Sequence, residues 1–260
     1  MSYKFIRFDV ANGVGQITLN RPDVLNSFDE DMADEVQKAL DTCSKDAEIR
    51  AVMITGEGRA FCAGQDLEEA TADWAPEISE IVDKQYNPII RKIRAIEKPV
   101  LAAVNGVAAG AGANIAYACD LAVAAESASF IQSFSKIGLI PDSGGTYFLP
   151  RLVGLQRAFG QMAFADKLEA SKAKEMGLIW DCFPDKDFEK KATAMAEKLA
   201  KMPTIGLGLT KRALNASLAN SLNQQLEIEK QLQSKAWETE DNKEGIKAFL
   251  EKREPDFKGE

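Results

Sequence analysis

The sequence predicts an α/β fold that gives way to a helical C-terminal region. Three observations carry that expectation. Short apolar, β-rich runs alternate with helix-period segments over the first part of the chain. Turns rich in glycine and asparagine separate them. Beyond Pro203-Thr204-Ile205-Gly206 the pattern is helical only.

Residues 5–10 and 14–19 flank Asn12-Gly13, and an Asn-Gly pair between two such runs signals a hairpin. After a loop at 20–26, Ser27 with Glu30 three positions on reads as a capping box. The helix it opens places Met32, Val36, Ala39, Leu40 and Cys43 on one face. Residues 51–55 form a short buried strand, and 60–67 a turn of small residues. The acidic stretch 68–80, which holds Trp74 and Pro76, is expected as a mobile loop or loose helix. A helix over 81–96 is expected to bend at Pro88 and to close at Lys98-Pro99. Residues 100–104 form the next strand, followed by the Asn105-Gly106 turn, a helix of small residues over 110–119, and strands at 121–124 and 128–131. From Tyr147 the pattern is mostly helical: helices over 154–165 and 171–176, a strand at 177–183, helices over 188–202 and 210–237, and a last one over 245–252. The chain thus divides into an α/β core, 1–202, and a helical region, 203–260. Leu222, Leu226 and Leu232 on one side of that region would either cover its own body or meet another subunit.

Composition narrows the function. With 260 residues, 45% hydrophobic and 28% charged, the chain has the make-up of a soluble globular protein. No apolar run approaches the ~20 residues of a membrane span, and the N-terminus lacks a basic-then-apolar signal pattern. A cytoplasmic protein is expected. The net charge of −8 argues against nucleic acid as a partner, although a local basic cluster would suffice for a small anion. The four cysteines are widely spaced in apolar surroundings, as buried free thiols would be. There is no histidine, which excludes Ser-His-Asp and Cys-His chemistry and His-ligated metals. No C-x-x-C pair is present either, so no metal site is expected. Acid/base work must fall to Asp, Glu, Lys, Tyr or Cys.

Three places stand out. Gly110-Ala111-Gly112 opens a helix and can aim the Ala111 N–H at a carbonyl oxygen, or can simply allow close packing. Ala63-Gly64-Gln65 can present a second N–H, at Gln65, and the two donors converge only if their strands are neighbours. Asp142, in Pro141-Asp142-Ser143-Gly144-Gly145, reads either as a cap or Asx-turn residue or as a general base shielded by Leu139, Ile140 and Phe134. No nucleotide loop is present, since there is neither a G-x-G-x-x-G with its acidic partner nor a GK[ST].

Taken together, residues 61–67 (Phe-Cys-Ala-Gly-Gln-Asp-Leu), 105–112 (Asn-Gly-Val-Ala-Ala-Gly-Ala-Gly) and 138–146 (Gly-Leu-Ile-Pro-Asp-Ser-Gly-Gly-Thr) resemble the enoyl-CoA hydratase/isomerase (crotonase) superfamily. The resemblance spans essentially the whole chain. It implies a crotonase-type spiral of ββα units with a helical C-terminal oligomerisation region, assembled as trimers usually paired into hexamers. It implies an acyl-CoA thioester as partner, coenzyme A being part of the substrate, with no further cofactor. By the same resemblance Gln65 and Ala111 supply the oxyanion-hole N–H groups. Asp23, Leu25, Ala63, Asp66 and Leu67 would contact substrate or CoA, and Phe249 and Lys252 would reach CoA held by a neighbouring subunit. Residues 62–67, 134–142 and 204–209 are most similar to the branch that isomerises 1,2-epoxyphenylacetyl-CoA to its oxepin in phenylacetate degradation. That branch also moves double bonds from β,γ to α,β in dehydroadipyl-type esters. Hydratases of the superfamily carry two catalytic glutamates, whose positions here hold Asn114 and Phe134, while the isomerase aspartate falls at Asp142. The expectation is an isomerase that uses Asp142. The alternatives are a hydratase working through Asp142 and water, or a catalytically idle subunit that binds CoA esters.

Overall fold

The computed structural model describes residues 3–72 and 75–260. Met1 and Ser2, and Trp74 of the acidic stretch, lie outside the described residues. The hairpin forms as its turn requires. β1 (Ile6–Ala11) and β2 (Val14–Leu19) pair antiparallel, and the turn residues take positive φ, 52° at Asn12 and 76° at Gly13. Then α1 (Glu30–Lys45) buries Met32, Val36, Ala39, Leu40 and Cys43 at the expected spacing. Its cap differs from expectation. Asp29, not Ser27, is the N-cap, and its carboxylate accepts the Met32 N–H at 2.8 Å. Ser27 is buried in the preceding turn, because Phe28 is already bridged to Gln65.

β3 (Ala51–Gly56), β4 (Ala60–Cys62) and the single turn α2 (Leu67–Ala70) come next. The helix expected over 81–96 is interrupted. α3 (Ile78–Ile81) leads into a π-helical turn, Val82–Tyr86, and then into α4 (Asn87–Ala95). Pro88 lies just beyond this turn and has no N–H to give the Lys84 carbonyl four residues back, which instead accepts from Gln37 Nε2 at 2.9 Å.

The chain continues through β5 (Val100–Val104), β6 (Val107–Ala109), α5 (Ala111–Ala118), β7 (Leu121–Ala125), β8 (Ser129–Ile131), a 3₁₀ turn at Ser133–Ile137, α6 (Gly145–Val153), α7 (Leu155–Phe164), β9 (Leu168–Glu169), α8 (Ala170–Glu175), β10 (Asp181–Phe183) and α9 (Asp185–Ala200). Three helices finish it: α10 (Thr204–Ser217), α11 (Leu222–Trp237) and α12 (Glu240–Glu251). The single helix expected over 210–237 is therefore two. Ser221 and Gln224 form a reciprocal capping box at the break and start α11 afresh. Leu232 is buried, whereas Leu222 and Leu226 are exposed, so the three leucines do not share one covered face in this chain.

Among the described residues the strands make two sheets. The larger runs β1-β2-β3-β5-β7-β10 and the smaller β4-β6-β8-β9. Successive strands alternate between them: β3 then β4, β5 then β6, β7 then β8. Each pair is followed by helix, so the chain climbs as a spiral of ββα units. Within the smaller sheet β4, β6 and β8 are parallel neighbours. Helix α5 is buried along its whole length, and Val100 to Val104 of β5 are buried without interruption. That is why both segments lack the alternation of a half-exposed element.

Helix α10 docks on the body through a buried polar cluster. Lys211, 6% exposed, reaches Asp120 at 2.7 Å and the Ile93 carbonyl at 2.6 Å. Arg94 meets the same Asp120 at 3.0 Å and the Asn215 side chain at 2.6 Å. Burial pulls the Lys211 ammonium below its usual range, and Asp120 beside it opposes that.

Candidate active site

Parallel neighbours deliver their C-terminal ends to the same edge, the usual place for a ligand in an α/β sheet. Gln65 lies just past β4, Ala111 just past β6 and Asp142 on the loop beyond β8. The sheet order thus meets the condition for the two N–H donors to converge. The position that a Gly64 Cβ would occupy lies 3.5 Å from the Ala111 nitrogen. Gly110 takes φ 52°, ψ −125°, a conformation open essentially to glycine alone, and turns the strand into α5 without a side-chain cap. Gly112 lets α5 press onto β4, since a Cβ there would stand 2.4 Å from the Cys62 carbonyl oxygen.

The Phe28–Gln65 bridge uses the N–H of Phe28, given to Gly64 O at 2.7 Å, and the N–H of Asp66, given to Phe28 O at 2.8 Å. The Gln65 N–H falls between them and points the other way. Among the described residues neither it nor the Ala111 N–H finds an acceptor. Two free donors, one at the positive end of a helix, can stabilise charge that develops on a carbonyl oxygen.

Asp142 does not cap α6. That N-cap is Gly144, with no side-chain bond. The carboxylate accepts from Ser143 Oγ at 2.8 Å, while the Asp142 carbonyl accepts from Asn114 Nδ2 at 2.9 Å and from the Gly145 N–H at 2.7 Å. Ser143 holds φ 49°, a strained conformation for a non-glycine residue, so the loop is fixed against its local preference. Burial raises the Asp142 carboxyl above the usual aspartate range, against the Ser143 hydrogen bond. The shielding is not the one expected. Ile140 is 80% exposed and Leu139 46%, whereas Phe134 is buried. The backbone turns at Gly138, φ 72°, and carries both aliphatic side chains outward.

The remaining expected positions separate into two groups. Asp23 lies in the short 3₁₀ turn Pro22–Val24, and Leu25 ends it at φ 55°. The Leu25 carbonyl accepts the Ala63 N–H at 3.0 Å, so this loop is stitched beside β4. Asp66 caps α2 and joins Asp29 in gripping Arg21, at 2.9 and 3.0 Å respectively. Leu67 is exposed. Phe249 and Lys252 form the second group, at the end of α12, away from the strand ends that carry Gln65 and Ala111. Phe249 is exposed, and Lys252 makes no ion pair among the described residues, whereas Arg253 is held by Glu244 and Glu251.

Asn114, which the resemblance set at one of the two hydratase glutamate positions, is fully buried. Its amide joins the Asp142 carbonyl to Gln132, whose Nε2 donates to Asn114 Oδ1 at 2.9 Å. Phe134, the other, packs toward Gly110. Sequence reasoning missed Ser143 and Gln132, and also Tyr86 and Glu69, which bind the Gln65 side chain. Tyr86 carries no sequence signal, being one aromatic in an amphipathic helical stretch of mixed charged and apolar residues. Cys43, Cys62 and Cys119 are buried with thiols pushed up to about 12, which removes them as nucleophiles; Cys182 is only half-buried. A cavity of about 630 Å³ lies elsewhere, over the sheet face at Thr18, Thr55 and Asn105. Among the described residues no group of three His, Cys, Asp or Glu could hold a metal, and no helix is long and apolar enough to cross a membrane.

Comparison with known proteins bears on the family and the fold. Residues 9–260 match the family model described as enoyl-CoA hydratase/isomerase. The chain is 46% identical to a probable enoyl-CoA hydratase of Rhodobacter capsulatus, over all of both chains. It is 45% identical to the 1,2-epoxyphenylacetyl-CoA isomerase of Escherichia coli, covering 98% of this chain and 99% of that one. A crystal structure of enoyl-CoA hydratase from Bacillus anthracis superposes with a TM-score of 0.91 at 37% identity, covering 99% of this chain and 100% of that one.

Proposed function

The chain belongs to the enoyl-CoA hydratase/isomerase family, and from that premise we propose that it is an acyl-CoA isomerase with Asp142 as its only acid/base. One observation carries the reading. Asp142, half-buried on the loop beyond β8, has its carboxyl raised by burial, while the positions that the resemblance gives to the hydratase glutamates hold Asn114 and Phe134. The thioester oxygen lies between the N–H groups of Gln65 and Ala111, so charge that leaves the α-carbon is held as an enolate. Asp142 takes the α-proton of a β,γ-unsaturated ester and returns it at the γ-carbon, leaving the α,β-isomer. Its raised pKa brings the carboxylate closer to the pKa that returning the proton requires. For 1,2-epoxyphenylacetyl-CoA, the substrate in the Escherichia coli relative's name, the same donors polarise the thioester while the epoxide C–O bonds reorganise. Asp23, Leu25, Ala63, Asp66 and Leu67 contact the ester, and Phe249 and Lys252 contact CoA across a subunit boundary in a trimer or hexamer. The protein acts in the cytoplasm.

The Rhodobacter capsulatus relative's description favours a second reading, hydration by Asp142 and a water. One experiment separates the readings: acyl-proton exchange in D2O, followed by mass spectrometry, with a β,γ-unsaturated acyl-CoA and with a trans-2-enoyl-CoA. Deuterium uptake and double-bond migration that vanish in Asp142→Asn support the isomerase. Water addition to the 2-enoyl ester without migration supports the hydratase. Binding with neither leaves a CoA-ester-binding subunit.

A further inference from the structure

The Gln65 side chain, which the proposed reaction does not use, is bound at both ends. Its Oε1 accepts the Tyr86 hydroxyl at 2.7 Å, and its Nε2 donates to Glu69 Oε2 at 2.7 Å. The other Glu69 oxygen accepts the Glu30 N–H at 3.0 Å, at the start of α1. Tyr86, 1% exposed, sits at the end of the π turn, and Gln37 of α1 holds that turn by the Lys84 carbonyl. The contacts therefore close a ring: from α1 through the π turn and Tyr86 to Gln65, then through Glu69 back to the first residue of α1.

A side chain fixed at both ends fixes its own Cα and hence the direction of its N–H. Gln65 needs this more than Ala111 does. The Ala111 donor belongs to a buried helix, whereas the Gln65 donor belongs to a loop that leaves a three-residue strand. A π turn is a local irregularity that recurs at functional sites. Here it places Tyr86 edge-on to Phe28, with ring centroids 5.8 Å apart, directly beneath the Phe28–Gln65 bridge.

We propose that Tyr86 and Glu69 are positioning residues that aim the Gln65 N–H through its side-chain amide, so that the charge-stabilising power of the site depends on α2 being docked against α1. This rests on the assignment of Gln65 and Ala111 as oxyanion donors. Loss of either hydrogen bond loosens the donor without emptying the site. Each should lower the exchange rate by about 3- to 10-fold, on the order of the net worth of one hydrogen bond, and leave ester affinity unchanged.

The test uses the full chain with phenylacetyl-CoA carrying ¹³C at the thioester carbonyl. Two readouts are taken: the carbonyl stretch by difference infrared spectroscopy, and α-proton exchange in D2O. Tyr86→Phe keeps the ring against Phe28, and Glu69→Ala removes the acceptor from a side chain that is only half-buried, so both variants should fold. In wild type the bound carbonyl band moves to lower frequency than in water. In each variant part of that shift is lost and exchange slows, with the dissociation constant within twofold of wild type. Glu69→Gln, which keeps an acceptor for Gln65 Nε2 but sets an amide NH2 where the Glu30 N–H was accepted, restores part of both. The double variant falls no further than the worse single one, because both act through Gln65. Wild-type band positions and exchange in Tyr86→Phe and Glu69→Ala would overturn the positioning role and leave the donor assignment standing. An unshifted band in bound wild type would overturn the donor assignment itself, and this proposal with it.

Discussion

Gly112→Ala tests the seam on which the proposed chemistry depends. A Cβ added at Gly112 would stand 2.4 Å from the Cys62 carbonyl oxygen and 2.7 Å from both Cβ and Sγ of Cys62. Ordinary contact begins near 3.4 Å, so strand and helix must part by about 1 Å, a displacement that can cost roughly 100-fold in rate when it falls on reacting groups. The Cys62 oxygen is main chain, so no rotamer change relieves the clash. The strand that would retreat leads into Gln65, and the helix that would retreat begins at Ala111. Either movement widens the gap between the two donors. Overpacking of this kind lowers stability by ~1–3 kcal/mol. Loss of one effective donor removes ~2.7–4 kcal/mol of transition-state stabilisation, roughly a 100- to 1,000-fold fall in kcat. The assay pairs kcat for β,γ to α,β migration with the thermal midpoint. Gly160→Ala is the control: it lies inside α7, nothing stands within 4 Å of its added Cβ, and the gain is ~1 kcal/mol of helix propensity. A Gly112→Ala enzyme that loses stability yet turns over at the wild-type rate would refute the argument, because the seam would then open without affecting the reaction.

Four further outcomes are expected. Asp142→Asn should abolish migration and leave the thermal midpoint at neutral pH unchanged or higher. A carboxyl raised by burial favours folding below its unfolded pKa and loses that contribution as pH rises through its folded one, a loss the amide does not suffer. For the same reason the acid limb of the wild-type kcat/KM profile should lie at higher pH than an ordinary aspartate would give, and a limb at the ordinary position would count against Asp142 as the base. Asn114→Ala removes the bond that anchors the Asp142 carbonyl and strips Gln132 of its acceptor. It should lower stability by ~1–3 kcal/mol in urea unfolding and slow migration more than it weakens ester binding. Asp120→Asn leaves Lys211 and Arg94 without their shared carboxylate. It should lower unfolding stability by ~3–5 kcal/mol, visible as a shift in urea midpoint, and an unshifted midpoint would show that the cluster does not hold α10.

The parts of the fold that were legible in the sequence are those whose information is local. Asn12-Gly13 specifies a turn by the φ values it tolerates, and the α1 face follows from helical spacing. The smaller sheet was mostly hidden because β4, β6 and β9 are two or three residues long, too short to show a period. Their pairing is decided by neighbours far away in the chain. The same reason concealed the convergence of Gln65 and Ala111, which depends on β4 lying beside β6. Asp142 could be singled out by its company of proline, serine and glycines, but Leu139 and Ile140 misled. Being apolar and adjacent says nothing about direction once the backbone passes through a positive φ at Gly138. Helices 210–237 ran together because Ser221 and Gln224 look like surface residues until their reciprocal bonds are seen.

The amide at 114 and the carboxylate at 142 make sense together. A reaction that removes a proton from one carbon and returns it to another further along needs a single group that holds that proton in between. A second carboxylate at 114 would lie under the Asp142 loop, where Asn114 Nδ2 already stands 2.9 Å from the Asp142 carbonyl. Two like charges so placed would raise one pKa further and split the proton between two acceptors. An ionised carboxylate there would also lose the donor, whereas the amide gives a hydrogen to the Asp142 carbonyl while accepting one from Gln132. In the proposed isomerase Asn114 therefore leaves no competing base and secures the loop that carries Asp142. The room at that point is fixed as well: a Cβ at Gly145 would meet the Asn114 amide nitrogen at 2.5 Å. Gly145 is thus bound to the residue at 114 by space, just as the Asp142 carbonyl is bound to it by a hydrogen bond.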